Sequence, residues 1–260
     1  HYPLRRQRQM CIRDRPTLFI IGDSTVRNNT PGQQGWGDPL KGLFDPTKIQ
    51  VENHAIGGRS SRTFLTEGRW QTILDRLKPG DFVIMQFGHN DGGALDSEKN
   101  RATIRGTGDE SQEVTPKGST QPITIHSFGW YMRQYVTTAK AKGATPIMLS
   151  LIPRNIWKNG HVQRSTEDYA LWAKQVAREE KIPFIPFNDL LADVYDAMGE
   201  EKLTAIFAPG DHTHPAPAGA AINAHVLADA LRQLSDIPLG SMLLPRQDAL
   251  RLPSVIADHM

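Results

Sequence analysis

The chain is expected to fold as an α/β protein, a three-layer α/β/α sandwich built on a five-stranded parallel sheet. Three observations predict it. Short apolar, partly β-branched runs recur at residues 18–21, 81–87 and 144–151, the composition of strands buried on both faces. Between such runs lie stretches with apolar residues at helical spacing, so strand and helix alternate, and right-handed crossovers then lay the strands parallel with helices on both sides. Glycine-rich turns close the strands, and sheets of this kind bind ligands at the strands' carboxyl ends.

Taken in order, the first strand lies in TLFIIGDSTVRN (17–28), where the apolar run stops at Gly22-Asp23-Ser24-Thr25. Gly22 permits a sharp turn, and Asp23 and Thr25 offer caps for a following helix. A serine so placed lies near free N–H groups at a helix N-terminus, which suits a nucleophile whose attack creates an oxyanion. The plainer reading makes Asp-Ser-Thr a helix cap and nothing more. Residues 32–37 (GQQGWG) read as a loop, 36–44 as a short helix, and 49–55 as a second strand yielding to Gly57-Gly58. Ser60-Ser61 and Thr66-Glu67 are cap-like, and Trp70, Ile73, Leu74 and Leu77 keep helical spacing until Pro79-Gly80. The third strand, 81–87, runs directly into GHNDGG (88–93).

Residues 94–125 are polar and without period, and a loop of that length in a compact domain is usually functional or disordered. A helix over 127–142 precedes the fourth strand, 144–151, and the loop PRNIWKNG (153–160). A helix over 166–181, a fifth strand over 182–187 and one or two helices over 189–207 follow. APGDHTHPAP (208–217) is too rich in proline for regular structure, and 218–234 is a final helix. Residues 235–260, with Pro238, Pro245 and Pro253, are expected to pack on the surface as a tail.

Composition narrows the function classes. With 260 residues and 38% hydrophobic content the chain can bury one substantial core, so a single domain over 17–234 is expected. The mean hydropathy is -0.44, and no apolar run approaches the roughly 20 residues of a spanning helix, so no membrane partner is expected. Cys11 is the only cysteine, which excludes an internal disulfide and a thiolate metal cage. Residues 1–16, HYPLRRQRQMCIRDRP, resemble translated sequencing-adapter sequence and are set aside as a non-native leader. Without its five arginines and one aspartate, 25 basic residues stand against 27 acidic, a net charge of -2 in place of +2. The basic isoelectric point is then no argument for nucleic acid.

Hydrolysing an ester through serine needs a base, a group to orient it, and donors where the carbonyl oxygen becomes negative. Asp211 and His214 are three apart on a proline-flanked turn, close enough for the carboxylate to hold one ring nitrogen while the other faces Ser24. The main-chain N–H groups of Ser24 and Gly58 and the side-chain amide of Asn90 come from three strand ends and can converge as an oxyanion hole. Each has a plainer reading: Gly57-Gly58 as a turn, Asn90 as a turn or cap residue, and Asp211 with His212 and His214 as metal ligands. No further motif at ligand spacing supports a metal, and neither metal nor cofactor is expected. A G-x-S-x-G elbow is missing around Ser24, which disfavours the α/β-hydrolase fold.

In this order the residues resemble the SGNH (GDSL-type) hydrolase superfamily, named for a serine, a glycine, an asparagine and a histidine. IGDSTV, NHAIGGRSSR, FGHNDGG, DHTHP, the PRNIW loop and the insertion after Gly93 look like its rhamnogalacturonan acetylesterase branch. That resemblance implies a flavodoxin-like three-layer domain that removes acetyl groups from a pectin backbone without a metal. It assigns Ser24 as nucleophile, His214 as base, Asp211 as its orienting group, and Ser24, Gly58 and Asn90 as oxyanion donors. The spacing D-x-x-H selects His214 over His212.

Arg59, Arg62, Arg154 and Lys158 lie on strand-end loops, where they can meet sugar carboxylates or serve as solvated or locally paired charge. Arg59, Arg154, His89 and Trp157 are the substrate-binding candidates, while Trp36, Trp70, Trp130 and Trp172 are assigned to packing. The expected partner is an acetylated polysaccharide or oligosaccharide, and the expected location is secreted or periplasmic in a bacterium. Acetylated xylan or another small acyl ester is the alternative substrate. A non-catalytic carbohydrate-binding protein is the distant one.

Overall fold

The computed structural model describes residues 15–246. Of the leader assigned to 1–16 only Arg15 and Pro16 fall within that range; the rest, Cys11 included, and the end of the tail from 247 lie outside the described residues. In chain order the elements are β1 (Thr17–Gly22), α1 (Gly37–Lys41), β2 (Gln50–Asn53), α2 (Ser61–Thr66), α3 (Arg69–Leu74), β3 (Phe82–Gln86), β4 (Ser111–Val114) and β5 (Ile123–His126). They continue with α4 (Phe128–Ala141), β6 (Thr145–Leu149), β7 (Trp157–Lys158), β8 (His161–Val162), α5 (Tyr169–Glu179), β9 (Phe184–Ile185), α6 (Phe187–Met198), α7 (Glu200–Ala205) and α8 (Pro217–Gln233). A 3-10 turn at Pro238–Met242 follows.

Five of the strands form one sheet in the order β2-β1-β3-β6-β9, each pair parallel. Counting those strands alone the order is 2-1-3-4-5, the flavodoxin-type winding, whose reversal of direction beside β1 opens a crevice at the carboxyl ends. Successive strand residues point to opposite faces. Leu18 and Ile20, Phe82 and Ile84, Ile147 and Leu149 therefore join one apolar cluster with Leu190, Leu191, Val194 and Leu227. Phe19 and Ile21, Val83 and Met85, and Met148 join a second with Phe64, Ile73, Met132, Val136 and Val176. A one-residue slip would exchange the two sets, so apolar contact on both faces pins the register that sets Ile20 opposite Ile84 and Ile84 opposite Ile147.

Several local expectations change. Asp23 to Val26 make a single turn closed by Val26 N–H and Arg27 N–H donating to the Asp23 carbonyl, and no helix continues from it. The polar stretch 94–125 contains most of the β4–β5 hairpin, whose mostly exposed strands offer only Ile125 to the interior and so leave no apolar period. Trp36 and Trp70 are core residues. Trp130 is not: it lies half-buried and stacked on His126, with centroids 3.9 Å apart. Trp172 packs at the margin of the second cluster beneath the Arg105 guanidinium. Beyond α8, Ile237, Leu239 and Leu243 are buried in the first cluster and anchor the described part of the C-terminal stretch, whose other residues are mostly exposed.

Candidate active site

Ser24 sits just past β1, at the reversal point of the sheet. Gly22 ends the strand because no side chain fits there: a Cβ would stand 2.4 Å from Val26 Cγ2 and 2.6 Å from the Gln86 carbonyl oxygen. The turn is then held from below by a buried chain of polar groups. Trp36 Nε1 donates to Gln86 Oε1, Gln86 Nε2 donates to Thr25 Oγ1 at 2.6 Å, and the Thr25 hydroxyl and N–H donate to Asp23 Oδ1 at 2.7 and 2.8 Å. With its neighbours fixed inward, Ser24 is left partly open to solvent.

Its hydroxyl oxygen lies 2.8 Å from His214 Nε2, and His214 Nδ1 lies 2.6 Å from Asp211 Oδ2. Asp211 can only accept there, so the ring proton sits on Nδ1 and Nε2 presents a lone pair to the serine. Asp211 Oδ1 takes the N–H groups of Thr213 and His214, and Oδ2 also takes Gln33 Nε2 at 3.1 Å. Burial opposes ionisation of Asp211, but hydrogen bonds from the His214 ring and from the Thr213 and His214 main chain outweigh it and hold the carboxyl below its ordinary value. His212 is exposed, and the contact it makes is through its carbonyl, which accepts from Asn155 N–H. Among the described residues no group of three or more His, Cys, Asp or Glu is arranged to hold a metal ion.

The turn at Gly57-Gly58 lies against Ser24: a Cβ on Gly57 would stand only 3.6 Å from Ser24 Cβ. Gly58 has φ +78°, a backbone that glycine adopts without strain. Asn90 donates through Nδ2 to the Arg59 carbonyl at 2.9 Å, which seats its amide beside Gly58 and leaves one N–H to spare. Among the described residues, neither the Ser24 nor the Gly58 main-chain N–H is taken up by another group.

Behind Asn90, Asp91 is fully buried and accepts from Ser61 N–H and Oγ. Burial pushes its carboxyl up to about 7 against those hydrogen bonds, and the same cause lifts the buried Asp23 to about 6.

The four substrate-binding candidates divide. Arg59 spends its guanidinium on Glu67 at 3.0 Å and on the Gly57 carbonyl, so its clearest service to the site is its own main-chain carbonyl under Asn90. Arg62, the neighbouring strand-end arginine, is buried and donates to Asn100 Oδ1. Trp157 begins the small β7–β8 hairpin, packs half-buried against the first cluster and donates to Asn155 Oδ1. Arg154 and His89 line a pocket of about 280 Å³ with Leu151, Gln163, Asp168 and Tyr169. Arg154 is exposed there. Both ring nitrogens of His89 are buried, and burial, with Arg154 and His214 nearby, depresses its pKa to about 3. Gln33 is the site residue that the sequence left unmarked: a glutamine in a loop carries no signal until the loop's neighbour is known.

An imidazole between a serine hydroxyl and a carboxylate, with amide donors alongside at the crevice of a flavodoxin-type sheet, is the fold and site of an SGNH hydrolase. The chain belongs to the GDSL-like Lipase/Acylhydrolase family, whose model matches residues 20–222; it is a carboxylic ester hydrolase. It is 33% identical over 215 residues to the rhamnogalacturonan acetylesterase of Emericella nidulans, covering 83% of this chain and 84% of that one. To the probable rhamnogalacturonan acetylesterase YesY of Bacillus subtilis it is 34% identical over 233 residues, covering 87% and 97%. Among solved structures it resembles protein YxiM of Bacillus subtilis, with TM-score 0.68 and 28% identity over 84% of this chain and 56% of that one. The acetylxylan esterase Axe2 of Geobacillus stearothermophilus shares the fold, with TM-score 0.55 and 19% identity over 82% of this chain and 93% of its own.

Proposed function

We propose that the protein removes O-acetyl groups from a pectic polysaccharide, rhamnogalacturonan, through an acetyl-enzyme on Ser24. The observation that carries the chemistry is the 2.8 Å contact of Ser24 Oγ with His214 Nε2, continued at 2.6 Å to Asp211. His214 takes the hydroxyl proton as Ser24 attacks the acetyl carbon, and the negative oxygen of the tetrahedral intermediate meets the N–H groups of Ser24, Gly58 and Asn90. Collapse of the intermediate breaks the bond to the sugar oxygen, which leaves with the proton held by His214. Water, deprotonated in turn by His214, then attacks the acetyl carbon and frees acetate and Ser24.

The substrate is supported by relatives named for rhamnogalacturonan at 33% and 34% identity over more than four fifths of the chain. On this reading the protein works outside the bacterial cytoplasm, secreted or periplasmic, where the polymer is met. The test is acetate release from acetylated rhamnogalacturonan, acetylated xylan and a chromogenic acetate ester by wild type and Ser24→Ala. Release from the pectic polymer by wild type alone is expected. Equal release by Ser24→Ala would overturn the mechanism, a preference for xylan the substrate, and sugar binding without turnover the catalytic reading itself.

A further inference from the structure

Two loops that are far apart in sequence from each other's partners close a ring of hydrogen bonds around the site. Ser24 contacts His214, His214 contacts Asp211, Asp211 Oδ2 accepts from Gln33 Nε2 at 3.1 Å, and Gln33 Oε1 accepts from Asn28 Nδ2 at 2.8 Å. Asn28 stands four residues after Ser24, just beyond its turn, so the main chain between them returns the path to where it began. The main chain reinforces it: Gln34 N–H donates to the Pro215 carbonyl at 2.9 Å, and Trp36 N–H donates to the Thr25 carbonyl at 3.0 Å.

The direction of each amide in the ring is set by a group with no choice. Thr30 N–H can only donate, and it donates to Asn28 Oδ1 at 2.9 Å. Asn28 must then present its NH2 to Gln33, which turns the Gln33 carbonyl toward Asn28 and its NH2 toward Asp211. A carboxylate offers about four acceptor positions. Those of Asp211 are filled by Thr213 N–H, His214 N–H, His214 Nδ1 and Gln33 Nε2. Three of the four come from the turn that carries Asp211 itself; among the described residues only Gln33 ties that carboxylate to the loop beside Ser24.

We infer that Gln33 is a positioning residue for the ester hydrolysis, with Asn28 orienting it: it locks Asp211 Oδ2 so that the His214 ring stays aimed at Ser24. The inference rests on the catalytic reading of Ser24, His214 and Asp211 given above. Because Asp211 keeps its other three donors without Gln33, the turn survives the loss and the effect falls on alignment. Gln33→Glu is the sharper change, since a second carboxylate cannot donate to Asp211 and adds negative charge next to the imidazole. That charge favours the imidazolium, so the acid limb of the activity profile moves to higher pH. The other titratable groups that reach His214, Asp23 and His89, stay in place.

The experiment is steady-state kinetics of the full chain on a chromogenic acetate ester across pH, with thermal unfolding of each variant. Gln33→Met is expected to lower kcat about ten-fold with KM within about two-fold of wild type, the mark of an interaction felt mainly in the transition state. Gln33→Glu is expected to move the acid limb upward as well, and Asn28→Asp to lower kcat by a smaller factor. Unchanged kcat and an unmoved limb in Gln33→Met and Gln33→Glu would overturn the proposal, as would losses that follow melting temperature alone and are uniform across pH. Ser24→Ala separates the two levels: if it is inactive while the Gln33 variants behave as wild type, only the positioning role fails; if it is active, the catalytic reading fails first.

Discussion

The indole N–H of Trp36 donates to Oε1 of Gln86 at 2.8 Å, and both side chains are wholly buried. Trp36 belongs to the glycine-rich loop and Gln86 to the end of β3, so this bond clamps the loop to the sheet beneath the Ser24 turn. Gln86 then passes the connection to Thr25. Gln86→Leu preserves volume but strands the indole donor, and a buried unsatisfied donor costs about 1–3 kcal/mol. Urea unfolding should show a loss of that order, with a drop in kcat as the turn under Ser24 loosens.

Which histidine serves Ser24 is a second point to measure. His214 touches the hydroxyl, whereas His212 is exposed and uses its carbonyl to receive Asn155. His214→Ala is expected to lower kcat by about 10³-fold or more, and His212→Ala to stay within about two-fold of wild type. The opposite pattern in steady-state kinetics would move the base to His212.

Asn90 has one amide hydrogen on the Arg59 carbonyl and one left over, which the proposed mechanism turns to the oxyanion. Removing a single such donor typically costs about 10²–10³ in kcat. Asn90→Ala should therefore lose kcat on that scale with KM little changed, because the oxygen gains its full charge only in the transition state. A change confined to KM would assign Asn90 to ground-state binding.

The buried carboxyls make stability fall with rising pH. Asp91 is raised to about 7 and Asp23 to about 6, both far above the unfolded value near 3.8. The folded protein holds those protons where the unfolded chain has lost them. Their stabilising effect is complete below about pH 4 and is lost as pH rises through about 6 to 7. His89, depressed to about 3 from 6.5, acts in the opposite sense: its contribution is present above about pH 6.5 and is lost as pH falls toward about 3. Asp91→Asn keeps an acceptor for Ser61 and removes one ionisation, so its stability relative to wild type should improve from pH 5 to pH 7. Parallel stability curves for the two proteins in urea would show that Asp91 does not carry the effect.

The strands, the two-sided burial of the sheet and the four motifs at its carboxyl ends were legible in the sequence, because each rests on a pattern contained in a few neighbouring residues. Apolar, partly β-branched runs mark β1, β3 and β6, and glycine with a polar residue marks Ser24, Gly58 and Asn90 past the ends of β1, β2 and β3. The hairpin within 94–125 escaped notice because its strands are mostly exposed and carry no apolar period. Side-chain partnerships were decided elsewhere. Arg59 turned to Glu67, Arg62 went into the interior, Trp157 packed into its hairpin, and Gln33 reached Asp211 across 178 positions. A polar side chain takes whichever donor or acceptor the folded surfaces bring within about 3 Å, and that is settled only when the sheet has gathered its loops at one rim. Local chemistry in the chain selects which residues stand ready; the packing of distant loops selects which of them meet.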